Sequence, residues 1–251
     1  MILDEINSLL ANSLSLWKKV PSSEGFILEE TLNFIAIKSP LLCPWLHYAW
    51  VKNPSEQCLK KIENFYGELP YGLVLPADHS TPLIPNSIRT KKIEVSELLL
   101  SRTHCISTTP NLREKSTLSI KSSNNPNFIE TWSKIVSENF QMPYEYLHQW
   151  AQTINQFATK DLVFLIAYQN ENPCGTLLLN KSSENIGAYF LSVLSKHRKK
   201  GIGRALILEA SKIAKKENLG IVLYAEKKLS PFYTNQGFDE QFQYTEYLSW
   251  I

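Results

Sequence analysis

The clearest pattern along the chain is a set of short apolar runs in its second half. These runs are rich in β-branched and aromatic residues and occupy residues 162–168, 175–180, 186–194 and 220–225. Runs of this length and composition are typical of strands that are buried on both faces of a sheet. The pattern therefore predicts four largely buried strands.

Apolar residues at helical spacing occur before and between these strands. Residues 128–140 and residues 144–157 show this spacing, and Asn127 followed by Glu130 predicts the N-terminal cap of the first helix. A further helix is predicted to begin near Gly201, because the apolar residues after it fall on one side and most basic residues on the other. Strand, glycine loop, helix and strand in this order predict a βαβ crossover.

The first half of the chain has a mixed pattern, with a predicted strand at residues 32–37 and a predicted helix at residues 55–69. Between residues 107 and 127 the composition shifts to Ser, Thr, Asn, Pro and charged residues, which is typical of a linker. We therefore predict a boundary near residue 115, with a smaller α+β domain over residues 1–115 and a second domain over residues 116–251.

Composition limits the classes of function. The 251 residues carry a formal net charge of +2, so the whole molecule has no strong attraction for nucleic acid or for an anionic membrane. No stretch approaches the roughly 18 consecutive apolar residues that span a bilayer, and residues 3–17 predict an amphipathic helix instead of a signal peptide. The four cysteines form no CxxC pair, which argues against a metal site and a disulfide framework. We predict a cytoplasmic protein without a metal.

A basic loop with two glycines precedes the crossover helix. It contains, in order, Lys196, Arg198, Lys199, Lys200, Gly201 and Gly203. The first amides of a helix have no partner within the helix, and glycine lets an anion approach the backbone closely. A solvated charge run is an equally good interpretation of these residues alone. The glycine spacing fits neither GxxxxGK[ST] nor a dinucleotide fingerprint with three glycines.

Two motifs together resemble the GNAT acetyltransferase superfamily. Its loop signature of Arg or Gln, two residues, Gly, one residue, and Gly or Ala is matched by Arg198, Gly201 and Gly203. Its second signature of an aromatic residue and Tyr, followed by Gly-Phe, is matched by Phe232, Tyr233, Gly237 and Phe238. The resemblance covers residues 118–251 and includes the order of elements. It implies the GNAT acyl-CoA N-acyltransferase fold, a mixed α/β sheet, in this half.

In this superfamily the loop amides hold the pyrophosphate of acetyl-CoA, and the preceding strand pairs with the pantetheine arm. The resemblance therefore implies a cofactor site formed by Leu191, Ser192, Val193, Arg198, Lys199, Lys200, Gly201, Ile202, Gly203 and Arg204. It also implies that the strand before the loop and the strand at residues 221–225 splay apart to admit the thioester. Tyr233 matches the position of the general acid toward the leaving thiol.

The resemblance does not assign a general base. Many members have a carboxylate on the strand before the loop, whereas residues 186–194 contain none, and Glu184 fits a solvated turn. We expect ordered water to take this role. Glu226 stands where many members have an Asn that contacts the CoA arm.

These observations favour an acetyl-CoA-dependent N-acetyltransferase that acts on a primary amine of a small molecule, an amino acid or a protein. A non-catalytic acyl-CoA-binding module is the alternative. A nucleic-acid-binding role for the basic loop is a third hypothesis, against which the near-neutral charge argues, so we expect no nucleic-acid or membrane partner. One interpretation of the N-terminal half is a degenerate copy of the same fold that forms an acceptor wall or a homodimer surface.

Overall fold

The chain forms a mixed α/β structure with two compact units that are interleaved along the sequence, as seen in a computed structural model. The structure describes residues 11–19, 25–41, 46–76, 92–103, 118–158 and 160–250. Unit one consists of Met1–Lys19, Ser101–Tyr224 and Pro231–Gln241, and unit two of Val20–Leu100, Ala225–Ser230 and Phe242–Ile251. This grouping differs from the linear division into residues 1–115 and 116–251, whose boundary lies outside the described residues and stays a prediction.

The helices and strands follow the predicted order in the second half of the chain. The described strands are β1 Ile27–Glu30, β2 Phe34–Lys38, β3 Tyr48–Val51, β4 Gly72–Pro76, β5 Lys92–Thr103, β6 Leu118–Ser122, β7 Leu162–Gln169, β8 Asn172–Lys181, β9 Asn185–Val193, β10 Gly220–Glu226 and β11 Asp239–Trp250. The described helices are α1 over residues 11–18, α2 Glu56–Tyr66, α3 Pro126–Phe140, α4 Tyr144–Ala158, α5 Ile202–Glu217 and α6 Ser230–Thr234. None of these helices is long and apolar enough to span a membrane.

Unit one contains the sheet that the apolar runs predicted. Its strands lie in the order β10-β9-β8-β7-β6, with β9 and β10 parallel and the other neighbours antiparallel. The central positions of β7, β8 and β9 are largely buried, which confirms the prediction that these strands are covered on both faces. β9, α5 and β10 form the predicted crossover.

Helices cover the two faces of this sheet. Trp132 of α3 contacts Phe164 of β7, with ring centroids 5.2 Å apart. On the other face, a Cβ placed on Gly175 of β8 would lie 3.1 Å from Ile202 of α5. Gly175 pairs with Ala167, an odd number of positions from Phe164, and alternate residues of a strand point to opposite faces. The sheet is therefore enclosed between α3 and α5.

The cap of α3 differs from the sequence prediction. Asn125 is the N-terminal cap, and its Oδ1 accepts a hydrogen bond from the Phe128 N–H at 2.8 Å. Pro126 begins the helix, where a residue without an N–H leaves no donor unsatisfied. Asn127 lies within the first turn and is exposed. The prediction that Asn127 caps this helix is wrong.

The N-terminal helix α1 packs within unit one. Trp17 contacts Trp150 of α4, with ring centroids 5.3 Å apart. Lys19 forms an ion pair with Asp161, with 2.8 Å between Nζ and Oδ2. The predicted helix is thus present, and its part before residue 11 lies outside the described residues.

Unit two has a similar crossover without a glycine loop. Its strands lie in the order β1-β2-β3-β4-β11, and β3 and β4 are parallel neighbours joined through α2. Cys58, Leu59 and Ile62 of α2 lie in the core of this unit. The helix is capped by Ser55, whose hydroxyl accepts from the Cys58 N–H at 3.2 Å. The strand and helix predicted for this half are confirmed.

Candidate functional site

Three elements of unit one meet at a single glycine. A Cβ placed on Gly203, in the first turn of α5, would lie 3.4 Å from Cζ of Phe232 in α6. The same Cβ would lie 3.8 Å from Cγ2 of Val193, the last residue of β9. The end of β9, the start of α5 and the helix α6 are therefore neighbours. The two motifs quoted above, although separate in sequence, lie side by side.

The start of α5 is left without a side-chain cap. Gly201 occupies the cap position with a φ of 82°, in the left-handed region that favours glycine, and no side chain accepts from the helix there. Ala205 N–H donates to the Gly201 carbonyl at 3.0 Å. The amides of Ile202 and Gly203 have no acceptor within the helix, because the first turn leaves its N–H groups without partners inside the helix. These amides form a site that is suited to an anion.

Lysine side chains add positive charge at this helix terminus. Lys199, with a φ of 61°, and Lys200 are both exposed. Ile202 is buried and Arg204 is partly buried. The positive end of the helix dipole and the two exposed ammonium groups favour the same negative ligand.

Arg198 fastens the loop to its surroundings. Its Nε donates to the Val193 carbonyl at 3.0 Å, and its Nη2 donates to Asn139 Oδ1 of α3 at 2.7 Å. The guanidinium is therefore held by the end of β9 and by α3. It acts in the structure as a positioning group, with its charge kept close to the loop.

A gap opens between β9 and β10. Their pairing covers Asn185, Ile186 and Gly187 of β9 and ends at Gly187 with Val222, although β9 continues to Val193. Phe190 has a φ of 54°, and the register of β9 against β8 shifts at this point. A bulge of this kind bends a strand and ends its pairing. The geometry agrees with the expectation that the two strands separate.

Ser192 and Tyr233 bring hydroxyl groups to this region. Ser192, in β9, is 3% exposed, and its Oγ has no hydrogen-bond partner among the described residues. Tyr233 of α6 is also buried, and its hydroxyl makes no hydrogen bond with any described residue. Burial raises the pKa of Tyr233 to about 12. Neither hydroxyl is paired with another described residue.

A comparison with known protein families identifies a domain that contains these elements. Residues 160–240 match the family model described as an acetyltransferase (GNAT) domain. This segment includes the loop, α5 and α6. Within the C-terminal half of the chain, residues 160–240 therefore match a GNAT domain. The family assignment supports acyl transfer as the general activity of this domain.

Solved structures extend the likeness beyond the GNAT domain. A GCN5-related N-acetyltransferase from Kribbella flavida gives a TM-score of 0.64 at 11% identity, covering 95% of this chain and 93% of that chain. A functionally unknown conserved protein from Staphylococcus epidermidis ATCC 12228 gives 0.65 at 19% identity, with 93% and 96% covered. A tandem GNAT protein from the clavulanic acid biosynthesis pathway gives 0.54 at 8% identity, with 86% and 78% covered.

These identities show the fold alone. The matches span nearly the whole chain, so the interpretation of the N-terminal half as GNAT-like is confirmed. No curated protein matches this sequence.

The GNAT domain brings most of the predicted cofactor residues to one region. Val193, Arg198 and Gly203 are connected by the contacts given above, and Leu191 and Ser192 precede Val193 in the same strand. Tyr233 follows Phe232, which packs against Gly203. The roles of these residues toward a cofactor stay predictions.

Several other polar residues have structural partners or lie at the surface. His197 Nδ1–H donates to Gln169 Oε1 at 2.7 Å, and burial, together with Lys196 and Lys200, lowers the pKa of His197. Glu184 is exposed in the turn before β9. Glu226 forms an ion pair with Lys228. Among the described residues, no group of histidine, cysteine, aspartate and glutamate side chains is placed to hold a metal ion.

Two contacts in the GNAT domain were not anticipated from the sequence. The sequence does not indicate that Asn139 accepts a hydrogen bond from the Arg198 guanidinium, since the two residues belong to elements that are distant in sequence. Phe232 is 38% exposed and lies over Gly203, a contact that the motif alone does not predict. The juxtaposition of the two motifs in the family could have suggested this second contact.

The anchoring of Arg198 can be tested without any ligand. Arg198→Ala removes the bonds to Val193 and Asn139, and we expect amides of residues 195–201 to exchange with solvent about 5–30 times faster. Hydrogen exchange followed by mass spectrometry measures this. Lys196→Ala is the matched control, because it removes an exposed lysine from the same loop. Equal exchange rates in the two variants would show that Arg198 does not anchor the loop.

Proposed function

We propose that the GNAT domain transfers an acetyl group from acetyl-CoA to a primary amine. The observation that carries this proposal is the uncapped start of α5 beside the end of β9 and helix α6. An anion-binding helix terminus, a strand edge that is free to pair, and a buried tyrosine are the three groups that this cofactor and this reaction require. The acceptor amine belongs to a small molecule, an amino acid or a protein.

The residues present fit acetyl-CoA. The pyrophosphate would lie against the amides of Gly201, Ile202, Gly203 and Arg204, with Lys199, Lys200 and the fixed charge of Arg198 around it. Gly203 presents no side chain between Val193 and Phe232, so the backbone can be approached closely. The pantetheine amides would pair with the edge of β9 at Leu191, Ser192 and Val193, as an added strand pairs with a sheet.

Acetyl-CoA supplies a thioester, and acyl transfer to an amine forms a C–N bond while the C–S bond breaks. Tyr233 is assigned to the leaving sulfur. A free thiol has a pKa of about 8.5, so full proton transfer from a hydroxyl of pKa about 12 is uphill by roughly 5 kcal/mol. Tyr233 therefore stabilises the departing thiolate by donating a hydrogen bond, which refines its role as general acid.

The proton of the acceptor amine has no carboxylate to receive it within β9, because that strand contains no acidic residue. Glu184 is exposed in the preceding turn, where its backbone N–H donates to the Ser182 hydroxyl. We assign this proton to water. Helices α3 and α4, with the connection between them, are the elements that we assign to acceptor selection.

The first test is CoA binding by the intact chain. At 100 times its Kd, CoA adds about 2.7 kcal/mol of stability, and the melting temperature should rise by about 5–10 °C. Gly203→Leu should abolish this rise, because its side chain must enter the space beside Phe232 and Val193. Gly203→Ala is the control, since its Cβ would lie 3.4 Å from Phe232, an ordinary contact. Lys199→Gln should weaken binding less than about fivefold.

The same measurement can contradict the proposal. A wild-type melting temperature that does not change with millimolar CoA or acetyl-CoA would rule out the cofactor. Binding that survives in Gly203→Leu would place CoA elsewhere on the chain.

The second test concerns Tyr233. Tyr233→Phe should lower the rate of thiol release from acetyl-CoA, with the most active amine of a panel, by about 100-fold while CoA affinity stays the same. The factor should be constant between pH 6 and pH 9, because a hydroxyl of pKa about 12 stays protonated there and loses its proton only at higher pH. Unchanged turnover in Tyr233→Phe would remove this residue from the mechanism.

A further inference from the structure

Two tyrosines lie just beyond the last paired positions of β9 and β10. Gly187 with Val222 is the last hydrogen-bonded pair of the two strands, and this register places Tyr189 opposite Tyr224 two positions further on. Their ring centroids are 6.0 Å apart, and the ring planes are inclined by 57°. Aromatic rings at this distance are in contact. The two rings therefore contact each other at the end of the gap where the pairing of β9 and β10 stops.

Asn12 of α1 holds the first of these rings. The Tyr189 hydroxyl donates to Asn12 Oδ1 at 2.9 Å. Asn12 Nδ2 donates in turn to the Asn180 carbonyl at 3.0 Å and to the Asn185 carbonyl at 3.2 Å. Because both ends of the carboxamide are engaged, its orientation is fixed. Tyr189 is 8% exposed and has little freedom to move.

Gly187 makes room for the Asn12 carboxamide. A Cβ at Gly187 would lie 2.0 Å from Asn12 Oδ1 and 2.5 Å from the Tyr189 hydroxyl oxygen, closer than atoms can pack. Glycine inside a strand often marks a place where another group approaches closely. The glycine at the last paired position thus permits α1 to reach this end of the gap.

The next residue of α1 contacts the second ring. Ser13 Oγ donates to the Tyr224 hydroxyl at 3.4 Å. Tyr224 is half-buried, whereas Tyr189 is buried. Successive residues of one helix therefore hold the two tyrosines, which we call the tyrosine pair.

We propose that the tyrosine pair limits the length of the acyl group that the gap between β9 and β10 accepts, and that Asn12 is the residue that positions the pair. This inference rests on the proposed function, in which the pantetheine lies along Leu191, Ser192 and Val193. Because the pyrophosphate lies beyond Val193, the acyl group at the other end of the pantetheine would point along β9 toward Gly187. Longer acyl groups must displace a ring that is anchored by a hydrogen bond. Forcing extra methylene groups into a filled space weakens binding by about tenfold or more.

The test compares dissociation constants of CoA, acetyl-CoA, butyryl-CoA and hexanoyl-CoA for the full chain by calorimetry, without an amine. The wild type should bind butyryl-CoA and hexanoyl-CoA at least about tenfold more weakly than acetyl-CoA. Tyr224→Ala should bring hexanoyl-CoA to within about threefold of acetyl-CoA, and the affinity for CoA itself should stay unchanged. Tyr224→Leu, which shortens the side chain and keeps it apolar, should shift the preference in the same direction.

Asn12→Ala should also relax the preference, because Tyr189 loses its hydrogen bond. Ser15→Ala is the matched control: Ser15 is in the same helix and accepts from Asn180 Nδ2 at 2.8 Å, within the same network as Asn12. It should keep the wild-type order of affinities. A general loss of stability changes the affinities for all four ligands together, whereas the proposed role changes the ratio of hexanoyl-CoA to acetyl-CoA.

The outcome that contradicts the proposed function differs from the outcomes that contradict the inference on acyl length. A wild type that binds none of the four ligands contradicts the proposed function, and the inference falls with it. A wild type that binds CoA, and hexanoyl-CoA as tightly as acetyl-CoA, contradicts the inference alone. Discrimination that persists in Tyr224→Ala, Tyr224→Leu and Asn12→Ala assigns the limit to other residues and also overturns it.

Discussion

The unpaired amides at the start of α5 are the feature on which the proposed site depends. Gly201 occupies the cap position with a φ of 82° and provides no side chain to accept from these amides. Two other helices have a side-chain cap instead, since Asn125 accepts a hydrogen bond from the first turn of α3 and Ser55 accepts one from the first turn of α2. A capped start has already paired one of the donors that an anion needs. The choice of cap residue thus separates a structural helix from one that can bind a phosphate group.

The crossover helices of the two units, α2 and α5, differ at their N-terminal ends. In both units a helix joins two parallel neighbouring strands, β3 and β4 in one case and β9 and β10 in the other. The helix of unit two begins after Ser55 and has no glycine at its start. One amide of its first turn, that of Cys58, is already paired with the Ser55 hydroxyl. We assign the cofactor to unit one for this reason.

The sequence was sufficient for elements that follow from periodicity and local chemistry. β7, β8, β9, α5 and β10 were predicted because buried strands and an amphipathic helix leave a pattern in neighbouring residues. Local choices were less certain, as Asn125 and Asn127 both precede an apolar helix and only the backbone decides which one caps it. Contacts between segments that are distant along the chain leave almost no pattern in the sequence. Asn139 with Arg198 and Asn12 with Tyr189 depend on how helices dock against β9. Gly187, the glycine within β9, is a local feature that agrees with the close approach of Asn12.

The most direct measurement of the central claim follows the amides themselves. The chain has nine glycines, so a sample labelled with ¹⁵N-glycine gives a simple spectrum in which Gly201 and Gly203 are assigned by their replacement with alanine. We predict that CoA shifts the amide resonances of Gly201 and Gly203 in a saturable manner, while Gly67, which follows α2 in unit two, stays unchanged. Resonances of Gly201 and Gly203 that do not move at saturating CoA would contradict a phosphate site at the start of α5.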